Sequence, residues 1–119
     1  MLYKYGDTHN LRSFRKLYKG KRLNSTKIED EYGVFYNKDR GEVELNWEET
    51  DKWTGDATTY VGTVYVDENM EIKDVAALTC ERLLGDDARG SGYRAKRAEG
   101  HDYFLFDVKL SALLEKTDA

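Results

Sequence analysis

The stretch from Tyr32 to Trp47 constrains the fold of this chain more than any other. Tyr32, Val34 and Tyr36 alternate along the chain, and Val43, Leu45 and Trp47 do so again after Asn37-Lys38-Asp39-Arg40-Gly41. Period-two spacing places alternate side chains on opposite faces of a strand. The five residues between the two runs are turn formers ending in glycine, which predicts a hairpin. Glu42, Glu44, Asn46 and Glu48 fill the intervening positions of the second run. One face is therefore apolar and the other acidic, as in a sheet covered on one side only.

Further strands are expected at 58–66 and 103–110. In the first, Tyr60, Val64 and Val66 oppose Val61, Thr63 and Tyr65. Bulk on both faces suits a central strand, and Gly62 within it predicts a bulge or a close backbone approach. In the second, Phe104, Phe106, Val108 and Leu110 alternate with Tyr103, Leu105, Asp107 and Lys109. Two segments have helical spacing. From His9 to Lys19, Leu11, Phe14, Leu17 and Tyr18 form an apolar stripe; Thr8 or Asn10 can cap it and Gly20 can stop it. From Ile72 to Leu84, Ile72, Val75, Ala76, Thr79, Cys80 and Leu83 share a helical face ending at Gly85. Residues 20–31 read as a loop anchored by Ile28. The resulting expectation is α+β: a mainly antiparallel four-stranded sheet with two helices packed on one face. At 119 residues the chain is one domain's worth, 1–119, with a flexible Gly-rich basic loop at 85–100.

Charge is unevenly spread. Residues 1–28 hold eight bases against one acid, and residues 29–87 hold 17 acids against five bases. The formal net charge is -4, so coating of nucleic acid by the whole surface is not expected. A single cysteine excludes an intrachain disulfide and a cysteine-based zinc site. Cys80 itself reads as a small buried hydrophobe. No apolar run is long enough for a signal peptide or a membrane span, and the chain is expected to be cytoplasmic with no membrane partner.

Enzyme constellations are weak. The glycines near 90 lack the Gly-Lys-Ser/Thr of a phosphate loop and follow an expected helix, whereas a dinucleotide fingerprint follows a strand. Asp86 and Asp87 lack a third ligand, and His9 and His101 belong to no metal motif. No catalytic residue, metal site or cofactor is assigned, although a small enzyme of unknown reaction stays open as an alternative.

Two surface features point to binding. Trp47 and Trp53 flank Glu48, Glu49 and Asp51, and aromatic anchors rimmed by carboxylates suit a basic protein surface. The reading is a small non-enzymatic adaptor or inhibitor acting on a protein partner through these five residues. The alternative is a nucleic-acid-binding accessory factor using segments 12–27 and 89–97. There Arg89, Arg94, Lys96, Arg97, Arg12, Arg15, Lys16 and Lys19 would contact phosphates, and Tyr93 would stack on a base.

Overall fold

The computed structural model describes residues 10–83 and 93–115. Its elements in chain order are α1 (Leu11–Tyr18), α2 (Ser25–Asp30), β1 (Val34–Asn37), β2 (Glu42–Thr50), β3 (Ala57–Val66), β4 (Ile72–Val75), β5 (Thr79–Leu83), β6 (Tyr93–Arg97) and α3 (Gly100–Ser111). The strands form one antiparallel sheet in the order β1-β2-β3-β5-β6, with β4 also paired to β3. The α+β class and the antiparallel sheet with packed helices are as the sequence predicts. Among the described residues the sheet has six strands rather than four, and there are three helices rather than two.

The β1–β2 hairpin and the central β3 follow the pattern of their residues. Val43 lies opposite Val64, Leu45 opposite Gly62 and Trp47 opposite Tyr60 on the inner face. Val43, Leu45, Tyr60 and Val64 are buried there with Phe14, Tyr18, Phe106 and Leu110 of the helices. Gly62 is a close approach: a Cβ there would stand 2.5 Å from Cζ of Phe106. The outer face carries Glu42, Glu44, Asn46 and Glu48, and no helix among the described residues packs on it.

α1 forms as its spacing predicts. Asn10 is the cap, accepting from the Ser13 N–H at 2.9 Å, and Phe14 and Tyr18 are buried. Residues 25–30, expected as loop, instead form the short α2. Asn24 caps it by accepting from Thr26 N–H (3.0 Å) and Lys27 N–H (3.3 Å), and Ile28 is its buried anchor.

Two assignments exchange places. The expected helix 72–84 is the pair of strands β4 and β5 through Leu83. Val66 pairs with Ile72, Tyr65 with Asp74 and Val64 with Val75, so the register shifts by one residue at Lys73. That irregularity turns Ile72 and Val75, three apart, onto the same face, and so imitates helical spacing. The expected strand 103–110 is the helix α3. Its buried positions are Asp102, Tyr103, Phe106, Asp107 and Leu110, spaced for a helix. Phe104, Leu105 and Val108 lie off that stripe and produce the strand-like alternation. Within the expected basic loop, Tyr93–Arg97 pair with β5 as β6, and residues 84–92, including Arg89, lie outside the described residues.

Candidate partner interface

β2 and β3 meet at a polar turn, Asp51–Asp56. The Asp51 carboxylate accepts from the Trp53 N–H at 2.8 Å and the Thr54 N–H at 3.3 Å. The Gly55 N–H reaches the Asp51 carbonyl and the Asp51 N–H the Asp56 carbonyl, each at 2.8 Å. Gly55 sits at φ +76°, where a side chain would be strained. The Asp56 carboxylate pairs with Arg82 on β5, which ties the turn to the sheet. A fixed backbone thus presents Trp53 at the tip with its side chain 96% exposed.

The other expected anchor, Trp47, occupies a different place. It lies on the inner face, stacked on Tyr60 (centroids 5.0 Å apart) and tilted against Phe106 (5.9 Å). Its Nε1 is buried and has no hydrogen-bond partner among the described residues. Trp47 therefore packs the core and does not share a surface with Trp53. The acids are split too. Glu48 is exposed on the outer face, Glu49 lies opposite Thr58 in the inner-face row, and Asp51 holds the turn.

The register adds carboxylates that sequence spacing alone does not bring together. Glu42 and Glu44 precede Glu48 on the same outer row of β2, and Glu81 on β5 faces Thr59 of β3 beside Glu48. None of these four makes an ion pair among the described residues. Glu81 was hidden because its segment has helical spacing; only the strand pairing places it here.

The basic residues gather elsewhere. Arg12 and Lys16 are exposed on α1, and Lys19 just past its end. Arg15 is held by Asp74 (3.1 Å) and by the Val75 carbonyl (2.8 Å), so it clamps α1 to β4. Asn10 and Leu11 line a shallow hollow with Arg97, Ala98 and Tyr103, so the start of α1 meets the end of β6. Tyr93, Arg94 and Lys96 belong to that strand.

A hollow of about 350 Å³ beneath the turn gathers Glu49, Asp51, Asp56, Tyr60, Arg82 and His101. Asp51, Asp56, Tyr60 and Arg82 among them are engaged in structure. Asp56 is paired with Arg82, and the Tyr60 hydroxyl donates to the buried Asp102 at 2.7 Å. Burial, then that hydrogen bond, raises the Tyr60 pKa, so the hydroxyl keeps its proton and acts as a donor. Asp102 also accepts from the Glu99 N–H at 2.9 Å and closes the capping box of α3. His101 is exposed while Asp102 points inward, so the two form no acid–base pair. Cys80 is buried as expected.

No family model, curated protein or solved structure matches this chain. Among the described residues no group of three or more His, Cys, Asp or Glu side chains could hold a metal ion. Nor is any described helix long and apolar enough to cross a membrane. The described surface offers an exposed indole on the β2–β3 turn and, on the outer face of the sheet, a row of carboxylates.

Proposed function

We propose that this chain is a small non-enzymatic binding module, an adaptor or inhibitor acting in the cytoplasm, that docks a protein partner with a basic surface. Trp53 enters an apolar recess of the partner, and Glu48 with Glu42, Glu44 and Glu81 meets its cations. The observation that carries this reading is the exposure of Trp53 on a turn fixed by Asp51 and Asp56. A preorganised aromatic loses little entropy on binding, and tryptophan is enriched among residues that dominate interface energies. The carboxylates of the outer face supply steering and register.

The test begins with capture of partners on the immobilised chain, with and without nuclease, identified by mass spectrometry. Trp53→Ala should then weaken the complex by about 2 kcal/mol or more while leaving the denaturation curve close to native. A complex indifferent to Trp53→Ala and to the acids defeats the reading. The meeting of Asn10 and Leu11 with Arg97 supports a second reading, a nucleic-acid accessory factor. Its signature is partner loss on nuclease treatment and a salt-dependent affinity that falls when Arg12, Lys16 and Arg97 become alanine.

A further inference from the structure

We propose that the free edge of β1 is a self-association surface, on which a second copy of this chain adds its own β1 antiparallel across a two-fold axis. This goes beyond the function proposed above and does not depend on it.

β1 is an outer strand of the sheet. The Gly33 carbonyl accepts from the Asn46 N–H at 2.8 Å, and Phe35 and Asn37 lie opposite Glu44 and Glu42. Hydrogen-bonded and non-hydrogen-bonded pairs alternate in an antiparallel ladder. Gly33, Phe35 and Asn37 thus turn their backbone groups toward β2. Val34 and Tyr36 turn theirs to the free edge, where no hydrogen bond among the described residues engages them. The two edges of the sheet differ in a telling way. β6 carries Arg94, Lys96 and Arg97, and charge along an edge strand blocks edge-to-edge pairing. β1 is Val-Phe-Tyr-Asn, with no charge. Of the large apolar side chains left exposed among the described residues, Tyr32 (99%), Phe35 (58%) and Tyr36 belong to this one stretch.

The geometry selects one register. With the two-fold axis at Phe35, Val34 of each copy faces Tyr36 of the other, and each pair exchanges both of its backbone bonds. The two Phe35 rings then meet in a non-hydrogen-bonded pair, where side chains come closest. The flanks fit a second copy as well. β1 follows Glu29-Asp30-Glu31, three acids, and leads into Lys38-Asp39-Arg40, two bases and one acid. An antiparallel arrangement sets the acidic start of each strand beside the other's net-positive end, Asp39 notwithstanding, whereas a parallel one sets the two acidic starts together. Opposite residues share a face, so the two acidic outer faces become one continuous surface. A four-residue strand makes a small interface, so the dimer forms reversibly with concentration.

Sedimentation velocity on the full chain, over a range reaching high-micromolar concentration, tests this. The expected result is a monomer–dimer equilibrium. Phe35→Lys sets two ammonium groups together at the axis and should raise the dissociation constant at least about tenfold. Phe35 is not packed on the core, so the thermal melt should stay near native. Asp30→Arg and Arg40→Glu should each weaken the dimer, and the two together should restore it, which a folding defect would not do. A chain that stays monomeric throughout overturns the proposal, as does a dimer indifferent to Phe35→Lys and to the charge exchange. So does slow hydrogen exchange at the Val34 and Tyr36 amides of the monomer, which would mean that another part of this chain already covers the edge.

Discussion

Buried polar residues reveal most about how this chain is held together. Asp107 is buried on α3, where its carboxylate accepts from the Tyr18 hydroxyl of α1, and that hydroxyl also reaches the Asp107 carbonyl at 3.2 Å. Burial raises the Asp107 pKa, opposed by the Tyr18 hydrogen bond and by Lys21. The folded chain therefore holds this proton more tightly than the unfolded chain. Its contribution to stability is full below the unfolded value of about 3.9 and is lost as pH rises through the raised folded value. Asp107→Asn keeps an oxygen that can accept from Tyr18 but cannot ionise. In denaturant melts from about pH 3 to about pH 7, the stability of the native chain relative to Asp107→Asn should fall as pH rises. Superimposable slopes would remove Asp107 from the account. The Trp47 indole adds a further buried polar atom, its Nε1, and the alternation of Val43, Leu45 and Trp47 already sets it on the apolar face of β2. The register of β2 on β3 sets Trp47 opposite Tyr60 on that face, and the grouping of Trp47 with Trp53 in one partner surface went against the strand's own alternation.

Among the elements, α3 is the most instructive. On a strand, Phe104 and Phe106 would share a face and contribute alike. On a helix, two residues apart means nearly opposite sides. Phe106 is buried, stacks on Phe14 with centroids 4.6 Å apart and lies over Gly62, whereas Phe104 is half-buried. Phe106→Ala should cost about 3–5 kcal/mol in unfolding free energy, and Phe104→Ala markedly less. Equal losses in chemical denaturation would contradict the helix. The β1–β2 hairpin, β3 and α1 were legible because each buries one face against the core and its residues keep a single period. α3 was not, because it is apolar on several sides and its extra Phe104, Leu105 and Val108 mask the period. β4 was not, because the irregularity at Lys73 breaks period two. The capping box of Glu99 and Asp102 was the available signal for α3, written in acids rather than the usual Ser or Thr. The residues from Asp51 to Asp56 are polar apart from Trp53 and Gly55, but the exposure of Trp53 is not legible from them, since an aromatic in a connector serves packing as readily as binding.

At the scale of the molecule, parts of the two charge blocks of the sequence lie on different elements. Glu42, Glu44, Glu48 and Glu81 share the outer face of the sheet, while Arg12 and Lys16 are exposed on α1, which packs on β4 and α3, and Lys19 just past the end of that helix. The two signs are joined at few points, such as Arg15 with Asp74. Exposed charges of one sign on a common face act mainly by steering a partner, because solvent screens their contribution to stability. Changing the four outer glutamates to glutamine should therefore leave unfolding free energy nearly unchanged. If the protein-partner reading holds, the association rate should fall about tenfold or more at low salt, and its dependence on ionic strength should flatten. Dissociation should change less, because that rate belongs to the Trp53 contact. Stopped-flow association at several salt concentrations, set beside Trp53→Ala, separates the two contributions. If the glutamine variant associates at the native rate at every salt concentration, the outer face is not part of the partner surface.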